Sequence, residues 1–376
     1  MDKVIIVGGG IVGMTAAYLL AKDGCDVTVI DRKERGQATD AAAGVICPWL
    51  SKRRNKAWYA LASGGARFYE QLVFDLSRDT HVATGYRKAG ALAIREHTDV
   101  LYELADKACE RRKDAPEIGE VDVLTPEETK NYFPLIADSF AAVYVSGGAR
   151  ADGRMLRQAL EKGAQGHGAR YIQDTAILHR TADRVDGVVC LSSGLVIHAD
   201  QIILAAGAWA ADLLAPIGFR TDVLPQKGQL LHVTLPDMCT ENWPVVLPPG
   251  SHDIVPFPNG RIVIGATHEK TEDGFDLRPT AGGVLEVLTD AVRFAPGLKE
   301  AAISVIRVGT RPYTPDYSPF IGQVPGYPSL WMANGFGSSG LTAGPFAGWL
   351  LAKKILGEET PVDLKPYDPS PYLHNL

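Results

Sequence analysis

Lys3 to Val7 reads as a continuous Val- and Ile-rich run, and Gly8-x-Gly10-x-x-Gly13 follows it at once. A strand of this kind is buried on both faces, as in a parallel sheet. Met14 to Lys22 then offers Ala16, Ala17, Leu19 and Leu20 to one packed helix and stops at Gly24. Asp26 to Ile30 repeats the buried-strand pattern and ends on Asp31. Strand, glycine turn, helix, strand and acid together predict a βαβ unit whose backbone at Gly8, Gly10, Ile11, Val12 and Gly13 approaches a pyrophosphate at a helix N-terminus. Asp31, with Arg32 beside it, stands where a carboxylate accepts from ribose hydroxyls and repels a 2′-phosphate, which disfavours NADP. The motif alone does not separate NAD from FAD.

The segment from Gly36 to Val45 bears on that choice, because it sets Thr39, Asp40, Ala42, Ala43, Gly44 and Val45 directly after the acid. Small side chains let the backbone pass beneath a flat ring. Here the sequence resembles the FAD-dependent amino-acid oxidases, the family of glycine oxidase, D-amino acid oxidase and sarcosine oxidase. Members carry a Thr or Ser followed by small residues ending in Gly at this point.

The resemblance implies an α/β fold: a Rossmann-like FAD-binding domain of the glutathione-reductase type, with a second domain built on a mixed or antiparallel β-sheet that holds substrate. It places adenine near the backbone of Ile177. It also places cofactor contacts at Ala206, Gly207 and Trp209, which follow the apolar strand from Gln201. The late turn Gly335-Phe336-Gly337-Ser338-Ser339-Gly340, leading into a helix from Leu341, completes the cofactor set. Amides at that helix start would stabilise the negative charge that a reduced flavin develops. Covalently flavinylated relatives use His or Cys near positions held here by Ala41 and Arg311, so FAD is expected to be non-covalent.

At 376 residues the chain exceeds one ordinary core. The expected division is a discontinuous FAD domain of residues 1–84, 148–218 and 307–376 and a substrate domain of residues 85–147 and 219–306. Leu61 to Leu76 predicts an amphipathic helix, Thr125 an N-cap before Pro126, and Asp152 to Ala164 another helix. Leu230 to Val233, Asp253 to Pro256 and Arg261 to Ala266 predict short antiparallel strands. The chain is expected to return to the first domain at Val305 to Gly309.

Chemistry is carried by Gly309-Thr310-Arg311-Pro312. In glycine oxidase and D-amino acid oxidase an arginine before proline at this place grips the substrate carboxylate, and Arg311 matches it. A planar guanidinium suits a planar carboxylate and would align an α-carbon with the flavin. His268 follows a strand end that the resemblance puts near the flavin, and could bond substrate or tune its protonation. Asp253 departs from the family, which usually places a tyrosine near it. A carboxylate there repels another unless it points away or pairs with a substrate cation.

The net charge of −6 excludes a phosphate-backbone footprint, and Lys52-Arg53-Arg54 reads as solvated surface, so nucleic acid is not expected as a partner. Five cysteines without a CxxC pair indicate neither zinc nor a disulfide framework and suit a cytoplasmic location. Met1 to Leu20 lacks the basic leader of a secretory signal, and no run of roughly 18 apolar residues suggests a transmembrane helix. The expected partners are a small anionic substrate and oxygen or another electron acceptor. The function expected is oxidation of a small amino acid or secondary amine. The alternatives are oxidation of a hydroxy acid or polyol phosphate, as in the similar glycerol-3-phosphate dehydrogenases, and a flavoprotein without independent turnover.

Overall fold

The computed structural model describes residues 2–181, 184–270 and 273–376. The strand Lys3–Val7 lies in parallel between Asp26–Ile30 and Gln201–Leu204. Arg170–Ile172 and Tyr327–Asn334 extend this sheet outward in parallel, and Phe320–Val324 closes one edge antiparallel. Sequence order scatters these strands widely, so the dinucleotide-type layer is assembled from distant segments of chain. The Val/Ile-rich strands are buried on both faces because helices and a small three-stranded meander cover them.

The first helix runs Ile11–Lys22, starting earlier than the apolar pattern from Met14 suggests. Gly10 is its N-cap, and Gly13 sits inside its first turn. A Cβ on Gly13 would stand 2.0 Å from the Gly8 carbonyl oxygen, so glycine there lets helix and turn pack closely. Against this helix lie Gly153–Gly166, whose Asp152 side chain accepts from the Arg154 and Met155 amides, and the C-terminal helix Gly340–Ile355. The helix expected over residues 61–76 spans Lys56–Thr80. Its polar ends are held by Asn55, which accepts from the Trp58 amide, and by His81 in the left-handed region. Thr125 forms a capping box with Glu128 at the start of Pro126–Tyr132.

The second layer is an eight-stranded sheet, antiparallel except where Val245–Leu247 runs beside Ala91–Arg95. It pairs Leu224–Thr234 with Arg261–Gly265 and that strand with Asp253–Pro256, the antiparallel strands expected at Leu230 to Val233, Arg261 to Ala266 and Asp253 to Pro256. The strand Ala302–Tyr313 pairs along the whole of Leu224–Thr234, so residues 307–313 stay hydrogen-bonded to this sheet even though the sequence suggests a return to the first layer there. Long two-strand pairing keeps them, and the chain joins the parallel sheet only from Phe320. The Gly309–Pro312 stretch of that strand lines the cavity between the layers.

Candidate active site

A cavity of about 690 Å³ opens along the C-terminal ends of Lys3–Val7 and Gln201–Leu204 and extends under the eight-stranded sheet. Its size falls in the range of cofactor and ligand sites. Gly8, with φ of +111°, passes so close to the next strand that a Cβ would stand 2.4 Å from the Ala205 carbonyl oxygen. Gly10 differs. A Cβ there would meet only Thr39 Oγ1 at 3.5 Å, so the protein itself tolerates a side chain and the open space belongs to the cavity.

The helix that starts at Gly10 has no capping side chain at its N-cap. The Ile11 amide donates to Thr39 Oγ1 at 3.1 Å, which fixes the small-residue segment over the glycine turn. Asp31 ends its strand and accepts from the Gly9 amide at 2.5 Å, the Lys33 amide at 2.5 Å and Gln37 Nε2 at 3.0 Å. These donors hold the carboxylate in place on the cavity wall. Arg32 stacks over Trp209 at 5.7 Å and pairs with Glu34 at 3.0 Å, joining the second strand to the turn after Gln201–Leu204.

At the other end, Asn334 Nδ2 donates to the Gly207 carbonyl at 2.8 Å and ties that turn to the late glycine turn. Gly337, Ser338, Ser339, Gly340 and Leu341 line the cavity at the start of the C-terminal helix. Ser339, its N-cap, makes no capping bond; its hydroxyl donates to the Phe336 carbonyl and accepts from Trp58 Nε1. Two helix N-termini therefore border one cavity, each bringing partial positive charge. Ala42, Ala43, Gly44, Val45, Ala206, Gly207 and Trp209 complete the wall. The glycine cradle, the paired helix starts and the anchored Asp31 fit FAD.

Four residues expected to touch cofactor lie off this wall. Gly13 packs helix against turn, as described. Asp40 faces the helix Gly153–Gly166, its carboxylate accepting from Arg157 Nε at 3.2 Å and its carbonyl from Arg154 Nε at 3.1 Å. Ile177 sits within the strand Ala176–Thr181 with its side chain outward, and Asp174, Thr175 and Ala176 line the cavity in its place. Gly335 has φ of +76° and packs on Thr314 and the Ser318 carbonyl.

Arg311, Asp253 and His268 all line the same cavity. Arg311 Nη1 donates to the Thr267 carbonyl at 2.8 Å. Gly228, on the paired strand, makes room for the guanidinium. Burial lowers the Arg311 pKa to about 10, and no charged group among the described residues offsets that loss of solvation. The group stays cationic at neutral pH. Asp253 has its carboxyl pushed up to about 7 by burial. His268 is reached by solvent at the cavity mouth, yet crowding by the protein, with the charges of Arg311, His252 and Lys270, lowers its pKa to about 4 and leaves it neutral. Cys47 also lines the cavity, and burial raises its thiol to about 12.

Sequence reading missed Gly228, Gln37 and the Arg53–Trp58 pair. Lys52 and Arg54 are exposed, as a solvated run predicts, but Arg53 turns inward onto the cavity wall, its guanidinium 4.6 Å from the Trp58 ring centre. Trp58, the first large apolar residue of its helix, was the available signal.

Residues 3–354 match the family model of FAD dependent oxidoreductases. An uncharacterised oxidoreductase of Bacillus subtilis, YurR, is 49% identical over 98% of this chain and 99% of its own length. Glycine oxidase of Pseudomonas aeruginosa is 32% identical, covering 98% and 99% of the two chains. The crystal structure of iminodiacetate oxidase from Chelativorans sp. BNC1 superposes with a TM-score of 0.93 at 43% identity, covering 97% of this chain and 98% of that one. Among the described residues no helix is long and apolar enough to cross a membrane. With a cavity built for FAD and matches along nearly its whole length, the chain belongs to the glycine oxidase-like family of FAD-dependent oxidoreductases and oxidises a small organic substrate through its flavin.

Proposed function

We propose that the substrate is a small primary or secondary amine bearing a carboxylate, oxidised to its imine with oxygen or another acceptor taking the electrons onward. The observation that carries this reading is Arg311: a half-buried guanidinium on the cavity wall that, among the described residues, donates only to a backbone carbonyl. An uncompensated buried cation is costly, and a carboxylate in the cavity relieves that cost. Relatives named for glycine and iminodiacetate oxidation, both amino-carboxylates, support the same class.

Bound FAD supplies an acceptor for the hydride leaving the carbon next to nitrogen. The residues of the chain do the positioning. Arg311 grips the carboxylate and so fixes the adjacent carbon. Asp253, with its pKa near neutrality, accepts the proton that converts the substrate ammonium to the free amine. His268, neutral, offers hydrogen bonds to substrate without adding charge. The resulting imine is hydrolysed by water. We propose a division of labour in which residues 1–84, 148–218 and 307–376 carry the cofactor and 85–147 and 219–306 the substrate, except that the end of Ala302–Tyr313, paired to the second sheet, brings Arg311 to the substrate.

Anaerobic mixing with panels of amino-carboxylates and of hydroxy acids tests the class. Amines that bleach the flavin band while hydroxy acids and polyol phosphates do not are the expected result. Bleaching by the oxygen-bearing compounds alone would overturn it.

A further inference from the structure

Arg53 repeats, elsewhere on the same cavity wall, the situation of Arg311. Its two basic neighbours point to solvent, while Arg53 is half-buried and faces the cavity. Its guanidinium lies over the Trp58 ring at 4.6 Å. That ring is itself fixed, because Trp58 Nε1 donates to Ser339 Oγ at 3.0 Å at the start of the C-terminal helix. Stacking on a held indole gives the planar group a defined place and leaves its edge N–H donors for a ligand. Burial lowers its pKa and the nearby Tyr317 hydroxyl opposes that shift; no carboxylate among the described residues balances its charge.

We infer that Arg53 forms a second anion subsite, and that the preferred substrate is a secondary amine flanked by two carboxylate arms. This rests on the amine reading above. One carboxylate on Arg311 leaves the Arg53 cation uncompensated, whereas a substrate with a carboxylate on each side of its nitrogen answers both. The arm held by Arg311 carries the carbon that is oxidised, and the arm held by Arg53 stays intact. With FAD bound as acceptor, the C–H of the arm held by Arg311 would leave as hydride with both bonding electrons, the nitrogen would give up its proton, and that C–N bond would become C=N. Water then adds and the C–N bond breaks, releasing a 2-oxo acid and the shorter amino acid.

The holoenzyme tests this in two ways. Glutarate has the chain length of iminodiacetate without its nitrogen, and butyrate lacks one of the two carboxylates; both report binding through the oxidised flavin spectrum without turnover. Glutarate should bind at least tenfold more tightly than butyrate, and Arg53→Gln should weaken glutarate at least tenfold more than it weakens butyrate, with Arg53→Lys recovering part of the loss. In rapid mixing, the ratio of flavin-reduction efficiency for iminodiacetate over sarcosine should fall in parallel. Equal binding of the two acids, or equal weakening of both by Arg53→Gln at unchanged FAD content, overturns the subsite. Arg53-dependent glutarate binding with no reduction by either amine would leave the subsite standing and overturn the amine reading instead.

Discussion

The guanidinium of Arg311 lies against the bare backbone of Gly228: a Cβ built on Gly228 would stand 2.8 Å from Arg311 Cζ. The two residues are close neighbours across paired strands, Gly228 facing Gly309 and Arg311 facing Gln226. The missing side chain on one strand thus gives the cation on the other its place.

Gly228→Ala should therefore retain FAD and push Arg311 aside. The added methyl meets the guanidinium carbon and two of its nitrogens, all within 2.9 Å, so the end of a long side chain must shift while the strand stays paired. A displacement of roughly 1 Å at a positioning group costs on the order of 100-fold. Flavin-reduction efficiency should drop by about that factor while the flavin spectrum and melting temperature change little.

Gly10 and Gly13 should separate binding from folding. Gly10→Ala meets only Thr39 Oγ1 at an ordinary 3.5 Å, so the apoprotein should fold and lose flavin affinity. Gly13→Ala drives a methyl to within 2.0 Å of the Gly8 carbonyl and should lower the melting temperature of the apoprotein itself. Wild-type protein precipitated with acid should release all its FAD, because Ala41 on the cavity wall offers no atom for a covalent link. Flavin left on the pellet would contradict this.

Asp253 sets a pH dependence. Its carboxyl titrates near 7 in the folded chain against an ordinary 3.8, so the native state holds a proton that the unfolded chain has released between those values. Stability therefore falls as pH rises from about 4 to about 7. Asp253→Asn should raise the melting temperature at pH 8 and leave it unchanged at pH 3.5. Reduction efficiency with an ammonium substrate should climb through about pH 7 in wild type, as the base form appears, and lose that limb in Asp253→Asn.

The cofactor end of the molecule was largely readable from the sequence because it is local. One βαβ unit brings the glycine turn, Asp31 and the segment at Thr39 together through close chain neighbours. Its departures are also local: the Asp40 side chain turns from Thr39 toward Arg157, and Ile177 stands one residue past the wall lined by Asp174, Thr175 and Ala176. The substrate end depends on sheet register. Gly228 matters only because Leu224–Thr234 pairs with Ala302–Tyr313, and nothing in the short pattern around Lys227 announces a partner so far along the chain. Arg53 was hidden for a different reason. A basic run reads as surface, and only the stacking on Trp58 turns its middle member inward.

The central claim, that Arg311 holds the substrate carboxylate, is tested most directly by anaerobic flavin reduction in wild type, Arg311→Ala and Arg311→Lys with the best amino-carboxylate found. Losing a buried two-point charged contact costs about 2–5 kcal/mol, or roughly 30- to several-thousand-fold in reduction efficiency. The account predicts a loss of that size in Arg311→Ala, partial recovery in Arg311→Lys, and full FAD content in both. Equal reduction rates and apparent affinities in all three proteins would contradict it.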